Sequence, residues 1–309
     1  VISRPDQYVG VTTYSGNSSS SNFVTDLNFN SKPDFVWIKA RSGSSSPGSQ
    51  NHYLVDSVRG ANGSVTKKLF SNSPNAENDG QTDANNGVKF VRNGFELTSS
   101  NDGTNANNAY VAWAWKAGGD AFTYNKDGGG GSSASDIGVS ATTLTLSGAS
   151  INTTSKFGIY AYTGSGSGGA TLNHGLGGTP GLVIYKRRTG SSSWQVYHKS
   201  LGGTKYMNLD EDTDAYTSDS TRFGGTDPTS TTITLGTHGN GNVTTILYAW
   251  CDVPGLQKFG QYEGNAEATE GNYIHLGFRP AILIIKDIDS TGYWYITDSE
   301  RNPTNDTTT

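Results

Sequence analysis

The 309-residue chain carries 41 glycines and an aromatic complement of 6 Trp, 16 Tyr and 11 Phe, yet only 16% of its residues are charged and its net charge is −5. So many aromatics at so low a net charge exclude a disordered chain, and the scarcity of helix formers beside abundant turn formers excludes an α-helical or α/β enzyme. Basic residues are dispersed, Lys186-Arg187-Arg188 being the densest run, so no nucleic-acid partner is expected.

In chain order, the first element is an aromatic strand, Tyr8–Asn17 (YVGVTTYSGN), ending in a glycine turn. Pro33–Ala40 (PDFVWIKA) follows, a proline-opened strand closed by Lys39. Proline suits a strand start because its missing N–H matters least there, and the apolar run after it suits a strand buried on both faces. The closing lysine is expected to return the chain to water. Next come His52–Gly60 (HYLVDSVRG), then Gly94–Asn107, read as a strand and polar loop, then the aromatic strand Asn108–Gly119 (NAYVAWAWKAGG). Gly128–Ser135 (GGGGSSAS) is a flexible stretch by composition, and Thr142–Gly148 (TTLTLSG) reads as an extra strand.

The same parts then recur. Phe157–Gly166 (FGIYAYTGSG), Pro180–Arg187 (PGLVIYKR), Trp194–Gly202 (WQVYHKSLG) and Thr245–Gly255 (TILYAWCDVPG) repeat the first series. Phe259–Asn265, Pro280–Asp287 (PAILIIKD) and Trp294–Asn302 (WYITDSERN) begin it a third time. In every copy a lysine, Lys39, Lys186 or Lys286, lies six residues after the proline. Self-similarity of this kind outranks local propensity as a fold signal. The expectation is an all-β chain of tandem jelly-roll or concanavalin-like β-sandwich repeats: repeat 1 over 1–118, a Gly/Ser-rich linker or arm over 119–155, repeat 2 over 156–256, and an incomplete repeat 3 over 257–309. A half-sandwich exposes faces and edges that need cover, so either more chain after Thr309 or a neighbouring molecule is expected to complete it.

FVWIKAR, HYLVDSVRG, NGFELTSS, YVAWAWKAGG, YAWCDVPGLQKFGQYEGN and RPAILIIKDIDSTGYWYITDSERNP together resemble a repeated domain of marine bacteriophage virion proteins, of the kind described as tail-fibre-like. The resemblance runs over nearly the whole chain. It implies a location in the virion and a structural role in a fibre or surface appendage. That role and the half-unit in turn imply other virion proteins as partners and a homo-oligomer such as a trimer. A module binding a host surface glycan is the alternative reading, with a polysaccharide depolymerase or a cellular surface filament protein behind it. The resemblance implies no catalytic residue.

Residue by residue, the sites are sparse. Asp210, Asp212 and Asp214 alternate as calcium ligands would, but an EF-hand loop beginning at Asp210 needs glycine at Ala215 and glutamate at Thr221. An irregular calcium loop and a solvated acidic loop both remain open; no other cofactor is expected. Asp56, Ser57 and Arg59 recur as Asp298, Ser299 and Arg301 but are His198, Lys199 and Leu201 in the middle copy, so an ion pair capping a strand end is expected rather than a catalytic set. The five histidines show no metal-ligand spacing, and no nucleophile elbow occurs. Cys251, the single cysteine, excludes a disulfide framework and is expected to be a buried thiol. Trp194, Tyr197, Trp294 and Tyr295 are candidates for a sugar-stacking platform, with a core role as the competing reading. No run approaches the roughly 18 apolar residues of a membrane span, so no membrane insertion is expected.

Overall fold

A computed structural model describes residues 2–42, 50–60, 67–77, 87–99, 103–216, 218–267 and 269–301. Ser100–Asp102 of the polar loop and Asn302–Thr309 of the third copy lie outside the described residues. The chain is all-β, with 38% strand and 4% helix.

The first sheet has the order β1 (Val9–Ser15), β8 (Ala109–Trp115), β3 (Phe35–Ala40), β4 (Tyr53–Asp56), β5 (Leu69–Phe70). A three-stranded sheet, β2 (Asn22–Val24), β7 (Gly94–Leu97) and β6 (Val88–Val91), covers one of its faces. Between the two lie Phe29, Val36, Ile38, Phe90, Phe95, Tyr110 and Ala112.

The second sheet has eight strands: β10 (Gly129–Gly131), β9 (Tyr124–Lys126), β12 (Thr145–Asn152), β13 (Phe157–Thr163), β19 (Thr244–Cys251), β15 (Pro180–Arg187), β16 (Gln195–His198) and β17 (Met207–Asn208). Its cover is β11 (Ser140–Thr142), β14 (Ala170–Asn173) and β18 (Thr232–Leu235), over a core that includes Tyr160, Tyr162, Tyr185, Leu247 and Cys251. A hairpin, β20 (Ile282–Lys286) with β21 (Trp294–Asp298), forms the last sheet.

The two large sheets also bury their other faces, against each other. In β8, Tyr110, Ala112 and Ala114 point into the first sandwich core, whereas Val111, Trp113 and Trp115 point into a third cluster. In β19, Leu247, Ala249 and Cys251 point into the second sandwich core, and Ile246, Tyr248 and Trp250 into that same third cluster. Strict alternation with both sets apolar is the pattern of a strand buried on both faces. The order of layers is therefore three-stranded cover, five-stranded sheet, eight-stranded sheet, three-stranded cover. The middle layer is aromatic: Phe35 lies tilted against Tyr248 (4.8 Å), Phe157 stacks on Trp250 (4.8 Å), and Trp115 is edge-on to Trp250 (6.3 Å).

Residues 119–155 correct the expectation of a linker or arm. They supply β9 to β12, which run through the eight-stranded sheet and its cover. The glycine run was open to a flexible reading by composition, but its glycines allow close approach. A Cβ on Gly130 would lie 2.0 Å from the Tyr124 carbonyl oxygen, so only glycine lets β10 lie on β9 there.

Candidate functional site

The strand-end block of the first copy builds a buried polar junction between the large sheets. The Arg59 amide donates to Asp56 Oδ1 (2.8 Å), which folds the turn after β4, and Gly60 follows at φ +93°. That turn aims the guanidinium back along the sheet. Nε pairs with Asp56 Oδ2 (2.5 Å), with neither side chain exposed to solvent. Nη2 donates to the Leu54 carbonyl (3.1 Å) and to Tyr248 Oη (3.2 Å) on the opposite sheet, and Nη1 to Glu77 (3.0 Å). Tyr248 donates its own proton to Asp56 Oδ2 (2.7 Å), and Glu77 also holds Arg188 (2.7 Å).

Burial alone would lower the Arg59 pKa, but Asp56, Tyr248 and Glu77 outweigh it and hold the guanidinium above its ordinary value. For Glu77, burial pushes the carboxyl up and the two arginines pull it, on balance, below the usual carboxylate range. Every charge in this group has a hydrogen-bonding partner of opposite sign, the condition under which buried charge is tolerated.

The third copy has the same device. Arg301 pairs with Asp298 (2.5 Å) and donates to the Ile296 carbonyl (2.6 Å), as Arg59 does to Leu54. Its sheet-crossing partner is Trp113 of the first copy, whose Nε1 donates to Asp298 Oδ2 (3.1 Å) beneath the Arg301 guanidinium. Trp113 and Tyr248 occupy matching positions in β8 and β19. The expected strand-end cap is thus present, and it also fastens one copy to the next.

Four further bonds recur between copies. Trp194 Nε1 donates to the Phe70 carbonyl (2.8 Å), and Trp294 Nε1 to the Asn208 carbonyl (2.9 Å). The Ser192 amide meets the Pro74 carbonyl (2.8 Å) as Gly292 meets Asp212 (2.7 Å), and Glu77 meets Arg188 (2.9 Å) as Ala215 meets Ile288 (3.2 Å). Lys186 Nζ reaches the Pro74 carbonyl (3.0 Å) and Lys286 Nζ the Asp212 carbonyl (3.5 Å). Second copy meets first as third meets second, and the Asp298–Trp113 contact joins third to first. Lys186 corrects the expectation that the strand-closing lysine returns to water: it is buried, and burial lowers its pKa to about 8.

Asp34 forms a second polar node where residues 117–119 leave the first sheet. Its carboxylate accepts from Ser57 Oγ (2.9 Å), Ser150 Oγ (3.3 Å) and the amides of Ala117 (2.7 Å) and Gly119 (3.0 Å). Complete burial nonetheless raises its pKa to about 6, the four donors opposing the shift only in part. Only its place beside a proline marked this residue in the sequence.

The candidate site residues are split by the fold. Trp194 and Tyr197 are fully buried, and Tyr197 donates to Asp227 (3.3 Å), so neither presents a ring face to a sugar; they are core residues. Trp294 is half-buried and Tyr295 is 64% exposed. Asp210 Oδ1 accepts from the Trp194 amide (2.8 Å). Asp210, Asp212 and Asp214 form no metal-holding group, nor does any set of three His, Cys, Asp or Glu residues among the described residues. Cys251 is buried in the second core, with Sγ 3.2 Å from the Gly178 carbonyl, and burial pushes its thiol up to about 12.

Trp294 and Tyr295 do border a groove of about 680 Å³, whose walls come from all three copies: Trp37, His52, Ser71 and Asn72, then Leu209 to Thr213, then Ile284 and Tyr293 to Ile296. His52, read from sequence only as a scattered histidine, lies at its wall. Its signal was positional: it opens the nine-residue block where the other copies have Trp194 and Trp294.

Among known proteins, no curated protein and no solved structure matches the chain significantly. One family does, over residues 4–309, and it is described as a domain of unknown function. The chain belongs to this family, DUF7483.

Proposed function

We propose that the protein is a structural component of a phage particle, a rigid building block of a fibre or surface appendage that works with other virion proteins as a homo-oligomer. The observation that carries this reading is the doubly buried aromatic layer. Two sandwiches joined by a flexible linker would bend under load, whereas sheets that share a buried face and a buried ion-pair network must break apolar burial and charged hydrogen bonds to separate. The recurrence of the same bonds at successive junctions is what a unit that transmits shape along a particle requires. The phage-like phrases of the sequence run through these junction strands, which adds to the reading. The test is electron microscopy of purified particles with a labelled antibody against this chain. Label on a fibre or appendage supports the proposal; particles without label, with the chain found only in the host cell, overturn it.

A further inference from the structure

We infer that Asp34 is a proton latch between the two large sheets: it holds a proton that it gives to a hydrogen bond with Ser150 of β12, and release of that proton to water loosens the crossing from the first sandwich to the second. The inference rests on how many protons the site can share out and is independent of the particle in which the protein works.

Each copy fixes the residue after its strand-opening proline in the same way. The carbonyl of Asp34 accepts the Ser57 amide (2.8 Å), that of Gly181 the Lys199 amide (2.9 Å) and that of Ala281 the Ser299 amide (3.0 Å). The backbone therefore needs no acid at this position, and only the first copy carries one. The first copy is also the one that residues 117–119 leave for the second sheet. Beside this crossing runs β12, so near that a Cβ on Gly118 would lie 2.6 Å from the Ile151 carbonyl oxygen. Asp34 and Ser150 are both buried there.

Ser150 has one hydroxyl proton and two acceptors for it, the Gly119 carbonyl at 2.9 Å and Asp34 Oδ1 at 3.3 Å. Its oxygen in turn accepts the Gly118 amide (2.9 Å). With Asp34 ionised, the two acceptors compete for that proton and one of the bonds is lost. With Asp34 protonated, the line closes: the carboxyl donates to Ser150, Ser150 donates to the Gly119 carbonyl, and Oδ2 still accepts the Ala117 amide (2.7 Å). The proton thus completes a run of bonds from the start of β3 through β12 to the crossing backbone.

The charges around the pair leave the proton in place. β12 carries no ionisable side chain. On the crossing, Asp120 favours the protonated acid, and Lys32 from the β3 side is paired with Asp120 (2.9 Å). At the turn after β4, Asp56 and Arg59 hold each other. After β9, Asp127 accepts the Thr153 amide (2.7 Å), and Lys116 and Lys126 are the remaining cations of the crossing and of β9. Burial is the main cause of the raised proton affinity and sets release at about pH 6. The folded state binds this proton more tightly than the unfolded chain, so the latch is closed at lower pH and opens as pH rises through that value.

The test is an NMR titration of the full chain, labelled with 13C and 15N, over about two pH units on either side of the release. The Asp34 carboxyl and the Gly118 and Ser150 amides should share one midpoint near 6. Across it, the protection of the Gly118 amide against exchange, corrected for the intrinsic rate, should fall by about tenfold, the loss of roughly one hydrogen bond. Ser150→Ala decides which group donates. If Ser150 only donates to a carboxylate, its loss raises the Asp34 midpoint; if it receives the acid's proton, its loss lowers the midpoint, by about one pH unit. Asp34→Asn, neutral at every pH, should abolish the pH dependence at Gly118. A raised midpoint in Ser150→Ala would overturn the inference. So would an Asp34 midpoint at the ordinary 3.8, or unchanged Gly118 protection across the midpoint, both read on the unaltered protein.

Discussion

Arg59 and Tyr248 belong to different sheets, so their energetic coupling reports directly on whether the sheets are docked. Arg59→Met leaves the Asp56 carboxylate, which has no solvent exposure, with only the residue-59 amide and the Tyr248 hydroxyl as donors. Removing one partner of a buried pair costs about 3–5 kcal/mol. Tyr248→Phe deletes a 2.7 Å hydrogen bond to the same carboxylate, worth about 1.5–3 kcal/mol. Because both changes strip the same oxygen, Oδ2, the double variant should depart from additivity by about 0.5–3 kcal/mol. Urea unfolding of the four proteins gives the cycle. Additivity within about 0.5 kcal/mol, or an Arg59→Met loss below about 1 kcal/mol as at an exposed pair, would refute the reasoning.

Other outcomes follow from the same geometry. Asp34 should titrate near pH 6 in the folded protein by carboxyl NMR, against about 3.8 unfolded. The folded state then holds this proton more tightly, so stability from this group is full below the unfolded value and is lost as pH rises through 6, by about 3 kcal/mol in all; a folded midpoint below 4 would contradict it. Trp194→Ala should cost about 3–5 kcal/mol in urea unfolding, the value for a large buried aromatic. Tyr295→Ala, by contrast, should stay within about 0.5 kcal/mol of the parent, and equal losses at the two sites would invert the assignment of core and surface. Cys251 should resist a thiol reagent in the native protein and react after unfolding; rapid native labelling would show that the second core is open.

The alternating aromatics of NAYVAWAWK and TILYAWC made the strands legible, and the repeated proline-to-lysine spacing made the copies legible. What the alternation could not say is that both faces are buried for the same strand. In β8 the alanines join Tyr110 in the first sandwich core, and Trp113 and Trp115 join the cluster shared with the second large sheet. The Gly128–Ser135 stretch misled because composition reports flexibility in an isolated chain, while Gly130 is needed for contact. Lys186 misled in the same way: a terminal ammonium ordinarily seeks water, but here carbonyls of Pro74 and Arg187 surround it. Asp56 and Arg59 were legible as a pair from their recurrence at Asp298 and Arg301. Their partners Tyr248 and Trp113 were not, because contacts between residues 100 or more apart leave no local pattern. His52 was hidden by chemistry, since an imidazole stands where its counterparts are indoles.

The docked sheets are tested most directly by hydrogen exchange at the indole N–H groups of Trp113 and Trp194, whose acceptors Asp298 and Phe70 lie on other copies. If the middle layer is a closed core, both protons exchange only through global unfolding, as slowly as the best-protected amides of β8 and β19. Rapid exchange at either indole while those amides stay protected would mean that the sheets separate in the native state, and would contradict the architecture proposed for this protein.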